Sequence, residues 1–305
     1  MLQRDAFIEE ITKKLEKDKS IYFLSADFGA AALDKLRERF PENFLHCGIS
    51  EQAMLDIASG LALEKNKVFV YAMAPFISLR SIEQTKCGAG LMNLPICILS
   101  VGIGLGYADA GPTHYSTEDF ACFRSIVGSS IYTPSDVAST KLIAKEMLEE
   151  PKFSYIRLDR EVLSDISPEI KKVDYEKGFR MFGKADEKKI ALISHGKMFH
   201  KCLDIYEKNP NNFICIDIFK SKPFPKDLAN NTKKCKGIVV VDEQSPSGNL
   251  SSCIFEGFSD QGYFPKIITK CLPEKYVFEN GGREYLLNKF GLSNQDIITA
   301  TKKIT

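Results

Sequence analysis

No Cys-x-x-Cys pair occurs among the nine cysteines of this chain, and their number is odd and their spacing irregular. That argues against a structural zinc site and against a disulfide framework, and points to reduced thiols in a cytoplasmic protein. No apolar run approaches the roughly 20 residues that a membrane helix needs. The N-terminus mixes acids with apolar residues and has no signal-peptide core. Neither charge dominates, with 41 basic against 40 acidic residues, so nothing electrostatic recommends nucleic acid or a membrane as partner. No internal repeat or low-complexity tract appears. What remains is a soluble globular composition, 44% hydrophobic and 27% charged, in 305 residues, enough for two domains.

The first part alternates helical and strand patterns. Residues 3–17 carry Phe7, Ile8, Ile11 and Leu15 at helical spacing. Ile21–Leu24 is a short strand ending in Ser25-Ala-Asp27, and residues 30–39 are helical again. Ser50 is placed to cap a helix from Glu51 to about Glu64, with Met54, Ile57, Ala58 and Leu61 on one face. Val68–Tyr71 and Ile96–Val101 read as fully buried strands. Ile131-Tyr132 ends another strand, residues 136–149 form a helix, and Ser154–Leu158 is a further strand. The alternation predicts an α/β fold of two domains, each a mainly parallel sheet covered by helices. Residues 166–186 are polar and poorly periodic and read as a linker. It separates residues 1–165 from 187–305, where Ile190–Ser194, Phe213–Asp217 and Gly237–Asp242 are the strands.

Four segments carry candidate chemistry, and none identifies a function alone. Glu51 opens an otherwise apolar helix, where an isolated glutamate ordinarily just favours the helix dipole. The glycine-rich run from Gly104 to His114 follows a buried strand, and its glycines permit close ligand approach. It lacks the Gly-Lys-Ser/Thr of a phosphate loop and the spacing of a dinucleotide site. Phe76, in Ala-Pro-Phe, reads singly as core. Thr133-Pro-Ser-Asp136 reads singly as a turn and a helix cap.

In order, however, Ser25-Ala-Asp27, Gly48-Ile-Ser-Glu-Gln-Ala-Met54, Ala74-Pro-Phe76, Gly111-Pro-Thr-His114, Phe123-Arg-Ser125 and Thr133-Pro-Ser-Asp136 resemble the pyrimidine-binding domain of transketolases. The resemblance continues through Ser194-His-Gly, Lys220-Ser-Lys-Pro223 and Val241–Gly248, as in that family's C-terminal domain. It implies thiamine diphosphate as cofactor. Glu51 then matches the glutamate that contacts N1′ of the aminopyrimidine, so that the ring's imino form can deprotonate thiazolium C2. Phe76 matches the aromatic that stacks on the pyrimidine. Asp27 and Phe28 fall beside the cofactor, and His114 matches a histidine at the substrate oxygens. Arg160 matches an arginine for a sugar phosphate, with Asp109 beside the substrate. His46, His195 and His200 have no comparable case.

The match fails in places. Where transketolases carry an acid before Gly-Pro-Thr-His, a histidine after the strand and a phosphate-binding serine, this chain has Ala110, Gly102 and Ala31. All three belong to sugar recognition. The cofactor chemistry is therefore expected to be kept and the sugar pocket changed, leaving a modified sugar, a shorter keto acid or a nucleotide-linked sugar open as substrate. No Gly-Asp-Gly for the cofactor's metal occurs. The resemblance thus implies no metal ligands here, a separate diphosphate-binding subunit that holds Mg2+, and an α2β2 heterotetramer. A 1-deoxyxylulose-phosphate synthase and a 2-oxo acid dehydrogenase beta subunit share the domain pair and stay open. A silent scaffold is disfavoured by the presence of both Glu51 and Phe76.

Overall fold

A computed structural model describes residues 1–27 and 29–304. The first unit runs α1 (Gln3–Leu15), β1 (Ile21–Ala26), α2 (Ala31–Arg39), β2 (Phe44–Gly48), α3 (Glu51–Leu63) and β3 (Lys67–Met73). Two π-helical turns, Phe76–Arg80 and Lys86–Leu91, then flank α4 (Ile82–Thr85). β4 (Ile96–Val101), α5 (Asp119–Ser125), β5 (Ser130–Tyr132), α6 (Val137–Glu149) and β6 (Ser154–Leu158) complete it. The second unit runs α7 (Lys172–Lys177), β7 (Phe179–Phe182), β8 (Ile190–Ser194), α8 (Gly196–Lys208), β9 (Phe213–Ile218), β10 (Lys220–Lys222) and α9 (Leu228–Thr232). β11 (Gly237–Val241), α10 (Leu250–Asp260), β12 (Ile267–Lys270), α11 (Arg283–Lys289) and α12 (Asn294–Thr301) follow.

The first sheet has the order β10-β5-β6-β4-β3-β1-β2 and the second β12-β11-β8-β9-β7. Among the described residues, the strand pairs β10–β5 and β7–β9 are antiparallel and the others parallel. Central strands covered on both faces are buried throughout and mostly apolar: every residue of β4, β8, β9 and β11 is buried. On α1, Phe7, Ile8, Ile11 and Leu15 form the buried stripe that the spacing predicts.

Three local readings change. Ser50 stands at the N-cap of α3, but its side chain makes no capping hydrogen bond. The buried face of α3 is Met54, Leu55, Ala58 and Ala62, while Ile57 is 42% exposed. An apolar residue does not commit a helix face until a neighbour covers it. The polar stretch 166–186 holds α7 and β7, and β7 closes the second sheet against β9. Its strand is masked in sequence by Arg180, which is buried between Asp136 and Asp217 at 2.9 and 3.0 Å. In return the second unit lends β10 to the first sheet, where Lys220 pairs with Tyr132. Among the described residues, no helix is long and apolar enough to cross a membrane.

Candidate active site

The parallel strands β4, β3, β1 and β2 lie side by side and therefore end at one sheet edge. Parallel sheets gather ligand-handling groups there, since the loops leaving the strand ends are free to vary. Asp27 follows β1, Glu51 follows β2, Phe76 follows β3 and the loop 102–116 follows β4. Arg160 lies two residues beyond the end of β6, which pairs with β4.

Glu51 is reached by an abrupt turn. Gly48 has φ +67°, a backbone state that suits glycine, and accepts a hydrogen bond from Ser50 N–H at 2.9 Å. Its carbonyl also takes the Asp27 N–H at 3.0 Å, which ties the end of β1 to the entry of α3. Glu51, only 3% exposed, then begins the helix at the end that favours a carboxylate. Its carboxylate is met by Arg80, whose Nη1 donates to Oε2 at 2.5 Å. The guanidinium carbon of Arg80 lies 4.5 Å from the ring centroid of half-buried Phe76. His114 meets the same ring edge-on, with centroids 5.4 Å apart and planes at 72°. The hydroxyl of Thr113 lies 2.9 Å from His114 Nδ1. Glu51, Phe76 and His114 are thus brought into one cluster through Phe76 and Arg80.

The other expected residues stand at the rim. Asp27 is exposed, with His46 Nε2 at 3.9 Å. Asp109 and Arg160 pair with each other at 2.8 Å, and Arg160 also lies 4.4 Å over the ring of Tyr107. Hydrogen bonding to its own backbone N–H and to Arg160 holds Asp109 below the usual carboxylate range. Phe28 lies outside the described residues. Among the described residues, no group of three or more His, Cys, Asp or Glu is placed to hold a metal.

The loop itself shows why position 102 carries no side chain. Gly102 has φ +84°, and a Cβ there would lie 1.9 Å from the Tyr107 ring. Tyr107 fills that space, and burial pushes its hydroxyl up to about 12. Gly104 and Ser116 then exchange backbone hydrogen bonds at 2.9 Å, closing the loop on itself.

Sequence reasoning missed Arg80 and Tyr107. The available signal for Arg80 was a cation four residues after Phe76 in an otherwise uncharged stretch. His195, read as ordinary, is buried between Arg157 and Asp242, each at 3.2 Å, where the two units meet. Arg157 is itself buried and held by Asp119 at 2.7 Å.

Two family models account for most of the chain: the transketolase pyrimidine binding domain over residues 1–165 and the transketolase C-terminal domain over residues 183–297. The chain is 28% identical to a subunit of the apulose-4-phosphate transketolase of Phocaeicola vulgatus, over 96% of this chain and 94% of that one. It is 25% identical to the 6-deoxy-6-sulfo-D-fructose transketolase subunit SqwH of a Clostridium species, over 99% and 94%. Identity to the 1-deoxy-D-xylulose-5-phosphate synthase of Clostridium perfringens is 26%, over 95% of this chain but 47% of that one. Among solved structures, a split-gene transketolase in an inactive beta4 tetramer superimposes with a TM-score of 0.86 at 25% identity, over 100% of this chain and 98% of that chain. The chain therefore belongs to the transketolase family, with that family's pyrimidine-binding and C-terminal domains in one polypeptide.

Proposed function

We propose that this chain is the pyrimidine-binding subunit of a two-subunit, thiamine-diphosphate-dependent transketolase that moves a two-carbon ketol unit between sugars. One observation carries the reading: a buried carboxyl, Glu51, and an aromatic face, Phe76, border the same space at the sheet edge. The flat, hydrogen-bond-donating guanidinium of Arg80 bridges them, so the space accepts a planar group of the kind an aminopyrimidine is. Bound there, the cofactor supplies an electron sink for the bond that breaks.

The chain's own residues divide the remaining work. Glu51 holds a proton against the ring's N1′, out of reach of bulk water. Phe76 supplies a flat apolar wall that orients the ring. His114, half-buried and edge-on to Phe76, is placed to donate to or accept from a substrate oxygen. Asp27 stands beside the cofactor at the mouth, with Phe28 next in the chain. Arg160 and Asp109 recognise the far end of the sugar, Arg160 as a fork for an anionic group. In this reading the diphosphate and its Mg2+ fall to a diphosphate-binding partner subunit in an α2β2 assembly. Two relatives are named as transketolase subunits, which supports the split. Exposed Ile49, Ile57, Leu63, Leu79, Leu91 and Met92, on or beside α3 and the π-helical turns packed against it, supply apolar surface for a partner. Nine unpaired cysteines suit a reducing cytoplasm. The division into residues 1–165 and 187–305 belongs to the same proposal.

The sugar is a non-standard one. Tyr107 occupies the space at Gly102, and both Ala110 and Ala31 are exposed and lack polar reach. The relatives named for apulose 4-phosphate and 6-deoxy-6-sulfo-fructose support a departure of this sort. The test is co-expression with the diphosphate-binding subunit and a product screen with thiamine diphosphate and Mg2+. Ketol transfer without carbon dioxide release is expected, with poor turnover of ordinary xylulose and ribose phosphates. Carbon dioxide release would favour the synthase reading. Glu51→Gln in the assembled complex should lower kcat by about 10³-fold, within the span for positioned acid–base groups. Unchanged turnover would mark a scaffold.

A further inference from the structure

Arg80 takes no part in the steps assigned to Glu51, Phe76 and His114, yet it occupies the centre of the site. Its Nη1 is 2.5 Å from Glu51 Oε2, and its guanidinium carbon is 4.5 Å from the Phe76 centroid. One side chain thus satisfies both groups assigned to the cofactor ring. A guanidinium resembles an aminopyrimidine in what those groups recognise: it is flat, has a delocalised π face and presents N–H donors in its plane.

We propose that Arg80 is a built-in stand-in for the cofactor's pyrimidine, closing the slot until the cofactor displaces it. The inference rests on the proposed roles of Glu51 and Phe76. The rest of the geometry suits a removable plug better than a fixed support. The Arg80 side chain is 38% exposed while the Glu51 side chain is 4% exposed, so the arginine can leave for water and the carboxyl cannot. An arginine released to solvent regains hydration and rotamer freedom. Among the described residues, Glu51 is the sole acid in ion-pair contact with Arg80, so no second carboxylate anchors it. The π-helical turn Phe76–Arg80 places ring and cation on one side, and wider turns of this kind recur at functional sites. Leu79, next to Arg80, is exposed, so a partner packing on this surface would press beside the plug.

A plug makes cofactor capture a competition. Arg80 keeps the buried carboxylate paired, and the cofactor must break that pair to enter. Removing the guanidinium should therefore tighten cofactor binding. A supporting arginine would do the opposite, since its loss would leave Glu51 misplaced.

The experiment is calorimetric titration of thiamine diphosphate with Mg2+ into the assembled two-subunit complex, and of thiamine into the full chain alone. Arg80→Met keeps the length and removes the fork, and Arg80→Lys keeps the charge and loses the flat face. Arg80→Met should tighten binding roughly ten- to hundredfold, the range of a charge-assisted hydrogen bond, with Arg80→Lys in between. The gain should vanish when Glu51→Gln is present in both members of the comparison, because the pair that Arg80 defends is then gone. Unchanged or weaker binding in an Arg80→Met that remains folded by circular dichroism, or in a folded Arg80→Lys should Arg80→Met fail to fold, overturns the plug. If the wild-type complex binds no thiamine diphosphate at all, the pyrimidine slot itself is misassigned and both readings fall.

Discussion

Gly102 and Tyr107 show how a single position can be closed to side chains. The backbone at Gly102 is left-handed, and the Tyr107 ring stands where a Cβ would go. Either feature alone would burden a substitution, and the two act together. Gly102→Ala should cost roughly 2 kcal/mol or more and lower the midpoint of thermal unfolding. A variant as stable as the parent would mean that the loop relaxes freely. The same scale separates the readable from the unreadable residues. Glu51 and Phe76 stood out by motif order. Arg80 did not, because an arginine in a short helical stretch is ordinary until its neighbours are known.

At the scale of elements, α6 is anchored at both ends by polar groups. Asp136 caps its start, accepting from Ser139 N–H at 2.7 Å in a reciprocal capping box. Near its other end, burial pushes the Glu146 carboxyl up, but hydrogen bonds from Lys152, Tyr175 and Lys220 outweigh that and bring it down to about 2. Lys220 from β10 and Tyr175 from α7 thus tie the second unit to α6 through one carboxylate. A native value below the ordinary 4.5 means stability that is full above about pH 5 and is lost as pH falls through 4.5 towards 2. That drop corresponds to roughly 3 kcal/mol as an upper figure. Glu146→Gln should lower the urea midpoint at pH 7, and the gap between variant and parent should close near pH 2. A pH-independent gap would show that the charge is not the cause.

At the scale of the molecule, the two units are joined by one shared strand, β10, and by buried charges. Arg180 of β7 lies between Asp136 of the first unit and Asp217 of the second, all three buried. Ser135 Oγ also donates to Asp217 at 2.6 Å, so Thr133-Pro-Ser-Asp136 acts as a bolt across the junction. Arg283 of α11 makes a second crossing, to Asp159 at 2.7 Å and Glu243 at 2.6 Å. Removing one member of such a group leaves the others charged and out of water. Arg180→Leu should destabilise by about 3–5 kcal/mol and make unfolding less cooperative by calorimetry. A single sharp transition at an unchanged midpoint would show that the junction does not depend on this charge.

Residue order was enough to establish the main buried strands and the longer helices of the first unit. A short, nearly continuous apolar run such as Ile96–Val101 suits a strand covered on both faces, and helical spacing from Phe7 to Leu15 needs one covered face. It was enough, too, for the ordered motifs that place Glu51, Phe76 and His114 in one family. Packing in three dimensions settled which face of α3 is covered, that Phe179–Phe182 is a strand despite its arginine, and that β10 crosses to the other sheet. The same packing brought Arg80 onto Glu51 and Tyr107 into the space at Gly102. Those outcomes depend on which groups meet across the chain and exclude water together, and such meetings leave no periodic trace in the order of residues.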